Sequence, residues 1–368
     1  MHYSFLSSGS WKGNASFVRL KAFGQGLLEL GHRVTFFVDQ LDYNVHELEL
    51  PPQAERCIVS NPSSWKQFYS RRQAIAAVAP DIVHFINPSL KSWAALSTLP
   101  RQKFICDWDE WPCQREDRGW SYRTLNRFLD WHARNRAAGL VVASRYLQQA
   151  FQSLGYASTY IPYATYLEPH DDGLSPFDLP TFVYMGNFYP AYDHDLLLEA
   201  ARSLKSEGLS PPLVLLGKGP DLDRWRQFTA EHRLDNVRLP GFTTGQALWQ
   251  HLRHAEALLF PIRDSLLNRV RCPSKTYAYA QARRPVVTSR IGEIVQVLGE
   301  QATYIDPTVS GWKAALAQLT RTAHQPDCDY HLDEQTWSKR SEQLLELAER
   351  VLGLGQAELP PPSLTASA

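Results

Sequence analysis

The chain has 368 residues, too many for one ordinary hydrophobic core, and that length points to two domains of roughly 150 to 200 residues each. Apolar residues make up 44% and charged residues 21%, as in a globular chain, and 38 Lys+Arg balance 38 Asp+Glu. This balance excludes a general polyanion binder, which needs a basic surface, so any anion site must be local.

Nowhere do eighteen apolar residues follow one another, so no membrane-crossing helix is expected. The opening MHYSFLSSGS has no apolar run with a cleavage site, so no signal peptide is expected either. The five cysteines (Cys57, Cys106, Cys113, Cys272, Cys328) lack zinc or Cys-x-x-Cys spacing. Reduced thiols and a cytoplasmic location follow.

In chain order, YSFLSS (3–8) reads as a short strand, and SGSWKGN as a small-residue loop into the helical pattern of ASFVRLKAFGQGLLELG. Gly31 stops that helix and RVTFFVD reads as a buried strand. Strand, loop, helix, strand is a βαβ unit, which requires a parallel sheet. Further strands are expected at 81–87, 103–109, 139–144 and 158–162, with helical stretches between them. Their nearly unbroken apolar character suits strands covered by helices on both faces.

The stretch YLEPHDDGLSPFDLP (166–180) breaks the pattern as a linker would. Beyond it the alternation restarts with TFVYMG, LVLLGKG, NVRLPG, ALLFPI, PVVTS and ATYID. The expected organisation is a first Rossmann-like domain over 1–168, a linker over 169–180 and a second over 181–333. A terminal helix over 334–355 is open to packing back on the first half, and the Pro-rich tail 356–368 is expected to be disordered. In doubly wound sheets ligands bind at the carboxyl ends of strands, so the expected site is a central cleft faced by both domains.

The densest cationic stretch is NRVRCPSKTYAYAQARRPVV (268–287), with five Lys or Arg and no carboxylate. Pro273 suits the first turn of a helix, where Ser274 and Lys275 would offer free amides at the positive end of the dipole. A lysine there is mismatched with that dipole unless an anion sits between, and Arg271 completes a cradle for a diphosphate. Arg283 and Arg284 follow the helix and read as a solvent-facing pair.

This order of elements resembles the GT-B glycosyltransferases, specifically the large retaining GT4-type family that includes sucrose synthases, mannosyltransferases and bacterial lipopolysaccharide transferases. The residues carrying the resemblance are LLELGHRVTFFVD, PDIVHF, GLVVAS, VYMGNF, LVLLGKGP, VRLPGF, ALLFPI and the cationic stretch. In the last of these, Asn268, Arg271, Pro273 and Lys275 meet the subgroup pattern Asn-x-x-Arg-x-Pro-x-Lys.

The resemblance implies a retaining, metal-independent transfer of sugar from a nucleotide-diphosphate sugar to a hydroxyl acceptor, with no further cofactor. It assigns the donor diphosphate to Gly13, Asn14, Asn187, Asn268, Arg271, Ser274 and Lys275. It assigns the nucleobase and ribose to Gly217, Lys218, Gly219, Gly241 and Phe242. Val270 and Ala278 stand where many relatives keep a Glu-x7-Glu pair, and Asn187 where they keep an arginine. Those departures leave open a catalytically degenerate GT-B scaffold.

In CDWDEWP (106–112), Asp107, Asp109 and Glu110 end an apolar strand beside Trp108 and Trp111. They are the candidate catalytic groups, able to orient a sugar hydroxyl or take its proton. Asp107-x-Asp109 also matches the metal-binding pair of the unrelated GT-A transferases, a second alternative, although the spacing recurs three more times in the chain. No metal ligand set is expected.

Arg115 to Arg136, interleaved with Trp120, Tyr122 and Trp131, form a cationic aromatic region. It reads either as a solvated helix face with core aromatics or as a contact for a lipid-linked acceptor and a membrane periphery. No nucleic-acid partner is expected. The base, the sugar, the acceptor and the oligomeric state are not written in these motifs.

Overall fold

A computed structural model describes residues 1–12, 15–60, 66–116, 118–167, 173–189, 192–322 and 326–354. Gly13, Asn14, the start of the predicted linker and the predicted disordered tail lie outside the described residues.

One sheet holds seven strands: β1 (His2–Leu6), β2 (Arg33–Asp39), β3 (Glu55–Val59), β4 (Ile82–Ile86), β5 (Lys103–Trp108), β6 (Gly139–Val142) and β7 (Thr159–Tyr160). Their order is β3-β2-β1-β4-β5-β6-β7, and β1 pairs in parallel with both β2 and β4. The second sheet holds β8 (Phe182–Met185), β9 (Leu213–Leu216), β10 (Val237–Gly241), β11 (Ala257–Phe260), β12 (Val286–Thr288) and β13 (Thr303–Tyr304). Its order is β10-β9-β8-β11-β12-β13, again with parallel pairing.

Each sheet therefore starts in its middle, winds to one edge, then returns past its first strand to the other edge. This is the doubly wound Rossmann order, which leaves a switch point beside the first strand, at β1/β4 and again at β8/β11. The apolar runs FVYM, LVLL and ALLF form β8, β9 and β11 because helices cover both faces. One such helix, Asp195–Ser206, buries Leu196, Leu197, Ala200 and Leu204 in a core that also holds Trp225 and Trp312.

The residues group into two compact units. One comprises Met1–Asp107, Thr124–Val141 and the chain from Ser341 on, and the other Trp108–Arg123 with Val142–Arg340. The strand β3 is not anticipated by the apolar pattern: it is an edge strand, paired to β2, and its first two residues are exposed.

The first unit has a fully buried polar network under its switch point. Arg19, from the helix Ala15–Glu29, donates from Nε to Asp107 Oδ2 (2.7 Å) and from Nη2 to Oδ1 (3.2 Å). His84 Nε2 lies 3.5 Å from the same carboxylate, and its Nδ1 lies 2.8 Å from the Tyr3 hydroxyl. Burial alone would raise the pKa of Asp107, but Arg19 and His84 hold it below the ordinary carboxylate value. The sequence expectation that Asp107 faces the ligand is thus corrected: its side chain is wholly buried and tied to Arg19, which makes it an anchor between helix and sheet. His84 is a fully buried core histidine.

Replacing Asp107 with Ala should leave Arg19 buried without its partner, and we predict a loss of about 3 to 5 kcal/mol in urea unfolding. The depressed pKa means that this stabilisation is present above the ordinary carboxylate pKa of about 4 and is lost as pH falls through the lower, folded value. An unchanged midpoint for the variant at neutral pH would contradict the anchor role.

Candidate functional site

The second sheet's switch point is built from three loops. After β8 the chain runs through Gly186, Asn187 and Phe188, and after β9 through Gly217, Lys218 and Gly219. The loops are hydrogen-bonded backbone to backbone: Gly186 N donates to Leu216 O (2.9 Å) and Phe188 N to Lys218 O (2.9 Å). Gly217 and Gly219 have φ of +154° and +152°, and a Cβ on either would overlap the carbonyl of Gly186 or Phe188. Only glycine allows this approach. Gly217 N in turn donates to Gly241 O (2.8 Å). The Lys218 ammonium lies 4.1 Å from the centroid of the Phe242 ring, whose surface is 61% exposed. Gly217, Lys218, Gly219, Gly241 and Phe242 therefore form one rim with an open aromatic face.

The third loop carries the cations. Ser265 caps a short helix, Leu266–Val270, by accepting from Asn268 N (3.3 Å). Arg271 is extended, and Pro273 O accepts from Thr276 N as the helix Lys275–Gln281 begins. This route brings the Lys275 ammonium to the β8/β11 junction, 4.0 Å from the Phe260 ring centroid and 4.6 Å from that of Tyr184. A Cβ on Gly186 would overlap the Tyr184 hydroxyl and come within 3.2 Å of Lys275 Nζ, so the glycine leaves room for the phenol and the ammonium together.

The Arg271 guanidinium lies 4.8 Å from the Tyr192 ring centroid, and its Nε is buried without a hydrogen-bond partner. Among the described residues neither Arg271 nor Lys275 forms a salt bridge. Burial, and then the positive charge of Arg271, push the pKa of Lys275 well below its ordinary value. Aromatic faces soften the desolvation of an ammonium but do not replace an anion.

Asn268 is turned to a structural task. Its Nδ2 donates to Asp193 Oδ2 (3.1 Å) and to Arg263 O (2.8 Å), while Arg263 bridges Asp193 (3.0 Å) and Asp195 (2.7 Å). This cluster fixes the loop after β11, and Asp193-x-Asp195, one of the repeated Asp-x-Asp spacings, is an arginine clamp. Asn268 Oδ1 is buried without a partner. Asn187 and Ser274 are exposed. Of the two arginines expected in solvent, Arg283 is exposed but Arg284 is not. Arg284 donates to Ala255 O (2.7 Å) and pairs with Asp327 (2.8 Å), so it is a structural tie between β11 and a distant loop.

A cavity of about 320 Å³ is lined by Trp111, Arg115, Asp193, Arg263, Asn268 and Val270, among others. Val270, in the position of the first family glutamate, is buried and apolar. A larger cavity of about 580 Å³ between β12, β13 and the helix Val309–Arg321 takes in none of the predicted site residues. The smaller one takes in Asn268 and Val270, next to Arg271 in the chain, and is the better candidate.

Past the end of β5, Asp109 accepts from the Tyr163 hydroxyl (2.8 Å) and Glu110 pairs with Arg115 (3.4 Å). Burial, and then the charge of Asp109, raise the pKa of Glu110, with Arg115 and Arg271 opposing. Asp107 and Asp109 direct these oxygens to different partners, Arg19 and Tyr163. Among the described residues no group of three His, Cys, Asp or Glu could hold a metal. The rings of Tyr184, Tyr192 and Phe260 were not anticipated as part of the site, because nothing local in the sequence marks an aromatic that will flank a lysine from another strand.

Two doubly wound sheets with a cationic, glycine-lined switch point define the architecture of the two-domain sugar transferases. The family model for "Glycosyl transferases group 1" matches residues 179–322, and that for the "Glycosyl transferase 4-like domain" matches 18–164, which together take in most of the chain. The chain belongs to this GT4-type family of GT-B glycosyltransferases and is a glycosyltransferase.

Solved structures agree on the fold. A glycosyltransferase from Rickettsia africae ESF-5 is 12% identical with a TM-score of 0.71, over 95% of this chain and 98% of that one. The lipopolysaccharide outer core galactosyltransferase WaaB, in its apo form, is 12% identical with a TM-score of 0.68, over 94% and 99%. HepE from Anabaena, solved in complex with UDP and glucose, is 14% identical with a TM-score of 0.65, over 96% and 97%. No curated sequence relative matches.

A diphosphate reaching Lys275 should raise its depressed pKa, so binding should take up a proton when the pH lies above the free value. We predict that nucleoside diphosphate affinity falls as pH rises through that free value, and that Lys275→Met removes the dependence. Calorimetry in two buffers of different ionisation enthalpy checks this, and equal apparent enthalpies in the two buffers throughout would contradict it.

Proposed function

We propose that the protein transfers a sugar, with retention and without a metal, from a nucleoside-diphosphate sugar to a hydroxyl acceptor. The observation that carries the reading is the pair Arg271 and Lys275, two cations at the switch point without carboxylate partners among the described residues. Negative charge grows on the diphosphate as the glycosidic bond breaks, and preorganised cations in a partly dry site stabilise that charge most. They do what a metal ion does in other transferases, which supports a metal-independent scheme. The rim of Gly217, Lys218, Gly219, Gly241 and Phe242 is suited to ribose and base, with the Phe242 ring as a stacking face. That HepE was solved with UDP and glucose supports a nucleotide sugar as donor.

In front-face transfer the acceptor attacks from the side on which the diphosphate leaves, and no protein nucleophile is needed. That suits a site in which Val270 and Ala278 have no nucleophilic or hydrogen-bonding side chain. Glu110, partly buried and with a raised pKa, is the group we assign to a sugar hydroxyl. The same apolar substitutions favour one second reading, a nucleotide-binding relative that no longer turns over. Release of nucleoside diphosphate from a panel of nucleotide sugars, with acceptors present, separates the two. Binding without turnover of any donor supports the second.

Each charge-assisted hydrogen bond to the diphosphate is worth about 1.5 to 3 kcal/mol, and about 1.4 kcal/mol is tenfold in affinity. Arg271→Ala and Lys275→Ala should each weaken nucleoside diphosphate binding by about tenfold or more. Unchanged affinity in both would show that the cradle is misassigned. Glu110→Gln should lower kcat while leaving diphosphate affinity in place, and activity should persist in EDTA. Loss of activity to the chelator, restored by a divalent cation, would overturn the metal-independent scheme.

A further inference from the structure

The wall of the cavity of about 320 Å³ carries two residues with a polar atom that the fold leaves unsatisfied. One atom is Oδ1 of Asn268, a residue only 3% exposed, and the other is Nε1 of Trp111. Among the described residues neither has a hydrogen-bond partner. Leaving a buried polar group unmet is costly, so a pair of them on one cavity points to a ligand that meets both.

The chemistry of the two atoms selects that ligand. Asn268 Nδ2 donates to Asp193 Oδ2 (3.1 Å) and to Arg263 O (2.8 Å), and both of those oxygens are acceptors. The amide is therefore locked, since flipping it would set oxygen against oxygen. Its Oδ1 then needs a donor. A diphosphate is largely ionised at neutral pH and offers acceptor oxygens, so the diphosphate contact that the family pattern implies for Asn268 does not suit this atom. The Trp111 indole, by contrast, can only donate. One acceptor and one donor on the same wall suit hydroxyl groups, which do both.

Shape and size agree with this. Trp111 is half-buried and braced edge-on by Phe151 (ring centroids 6.1 Å apart, planes at 61°), while Leu266, Leu267 and Val270 add apolar surface. An indole face suits the apolar face of a sugar ring, and the volume is at the low end for small-molecule sites. There is room for one ring. Val270 joins this wall to Arg271 of the cationic loop, and Arg115, also on the wall, pairs with Glu110 (3.4 Å).

We propose that the cavity is a subsite for a single sugar ring stacked on Trp111, with one hydroxyl donating to Asn268 Oδ1 and another accepting from Trp111 Nε1. These two residues then decide which sugar is taken. The ring is either the one transferred or the one that receives it, since both offer the same chemistry. The inference rests on the reading of the chain as a transferase that uses a nucleotide sugar.

The test is NMR of the full chain with nitrogen-labelled indoles, the Trp111 signal being assigned by its loss in Trp111→Phe. The probes are UDP and GDP, then UDP-glucose, UDP-galactose, UDP-N-acetylglucosamine and GDP-mannose, then the four free sugars with UDP or GDP present. At least one sugar-bearing probe should shift the Trp111 Nε1–H signal, and the bare nucleotides should not. A shift by a nucleotide sugar alone marks the transferred ring, and a shift by a free sugar marks the receiving one. Trp111→Phe keeps a ring face and should weaken the sugar-dependent part of binding about fivefold, and Trp111→Ala about tenfold or more, with affinity for the bare nucleotide unchanged in both. A signal that no sugar moves, an equal shift with the bare nucleotide, or undiminished sugar binding in Trp111→Ala would overturn the proposal. Because the titration needs no turnover, sugar binding at Trp111 in a chain that never transfers supports the subsite and counts against transfer, while transfer with a silent indole does the reverse.

Discussion

The candidate site depends on a lysine ammonium held against aromatic rings, with no salt-bridge partner among the described residues. Lys275 is held against Phe260 and Tyr184, beside Arg271, and burial depresses its pKa. Such a group is costly in the free protein and is relieved by an anion. The surrounding architecture serves that arrangement. Gly186 leaves room for the Tyr184 phenol and the ammonium, and the two glycines of the next loop let the backbones close against one another. Asn268, Asp193 and Arg263 fix the loop from which Arg271 projects. A protein that simply needed stability would have placed a carboxylate beside Lys275.

The same reasoning bears on the absent glutamates. Position 270 itself is a buried valine, and the carboxylates that line the cavity come from elsewhere: Asp193, Asp264 and, on the segment that follows β5, Glu116. Recognition of sugar hydroxyls would then have moved from one element to another. Arg271 and Lys275 keep the family's sequence pattern while Val270 and Ala278 depart from it, so on the proposed reading the diphosphate cradle is kept and the sugar hydroxyls are met by other side chains.

Much of the fold was legible because its strands are buried on both faces, and runs such as LVLLGKG or ALLFPI have few other uses. The edge strand β3 was not, because exposure removes the apolar signal. Within the site, the cationic stretch was legible as an anion site since its charges are local in sequence. The partners of Asp107 were not: Arg19 lies 88 positions away, and only the tertiary fold brings the helix onto β5. Neighbouring Arg283 and Arg284 looked equivalent, but Arg283 adopts φ of +56° at the helix end and the chain then turns Arg284 inward. The helix Trp120–Arg136 was open to two readings for a related reason. Its phase is set by Leu129, Ala133 and a buried ion pair, which are weaker sequence signals than the aromatics they leave exposed.

The central claim is that the diphosphate of a nucleotide sugar occupies the space between Arg271 and Lys275. A crystal structure of the protein with a nucleoside diphosphate tests it most directly. The account predicts phosphate oxygens within hydrogen-bond distance of Lys275 Nζ and of the Arg271 guanidinium, with the ribose toward the Gly217–Gly219 loop. A diphosphate bound elsewhere, for instance in the larger cavity between β12 and β13, with Lys275 still facing only Phe260 and Tyr184, would contradict it.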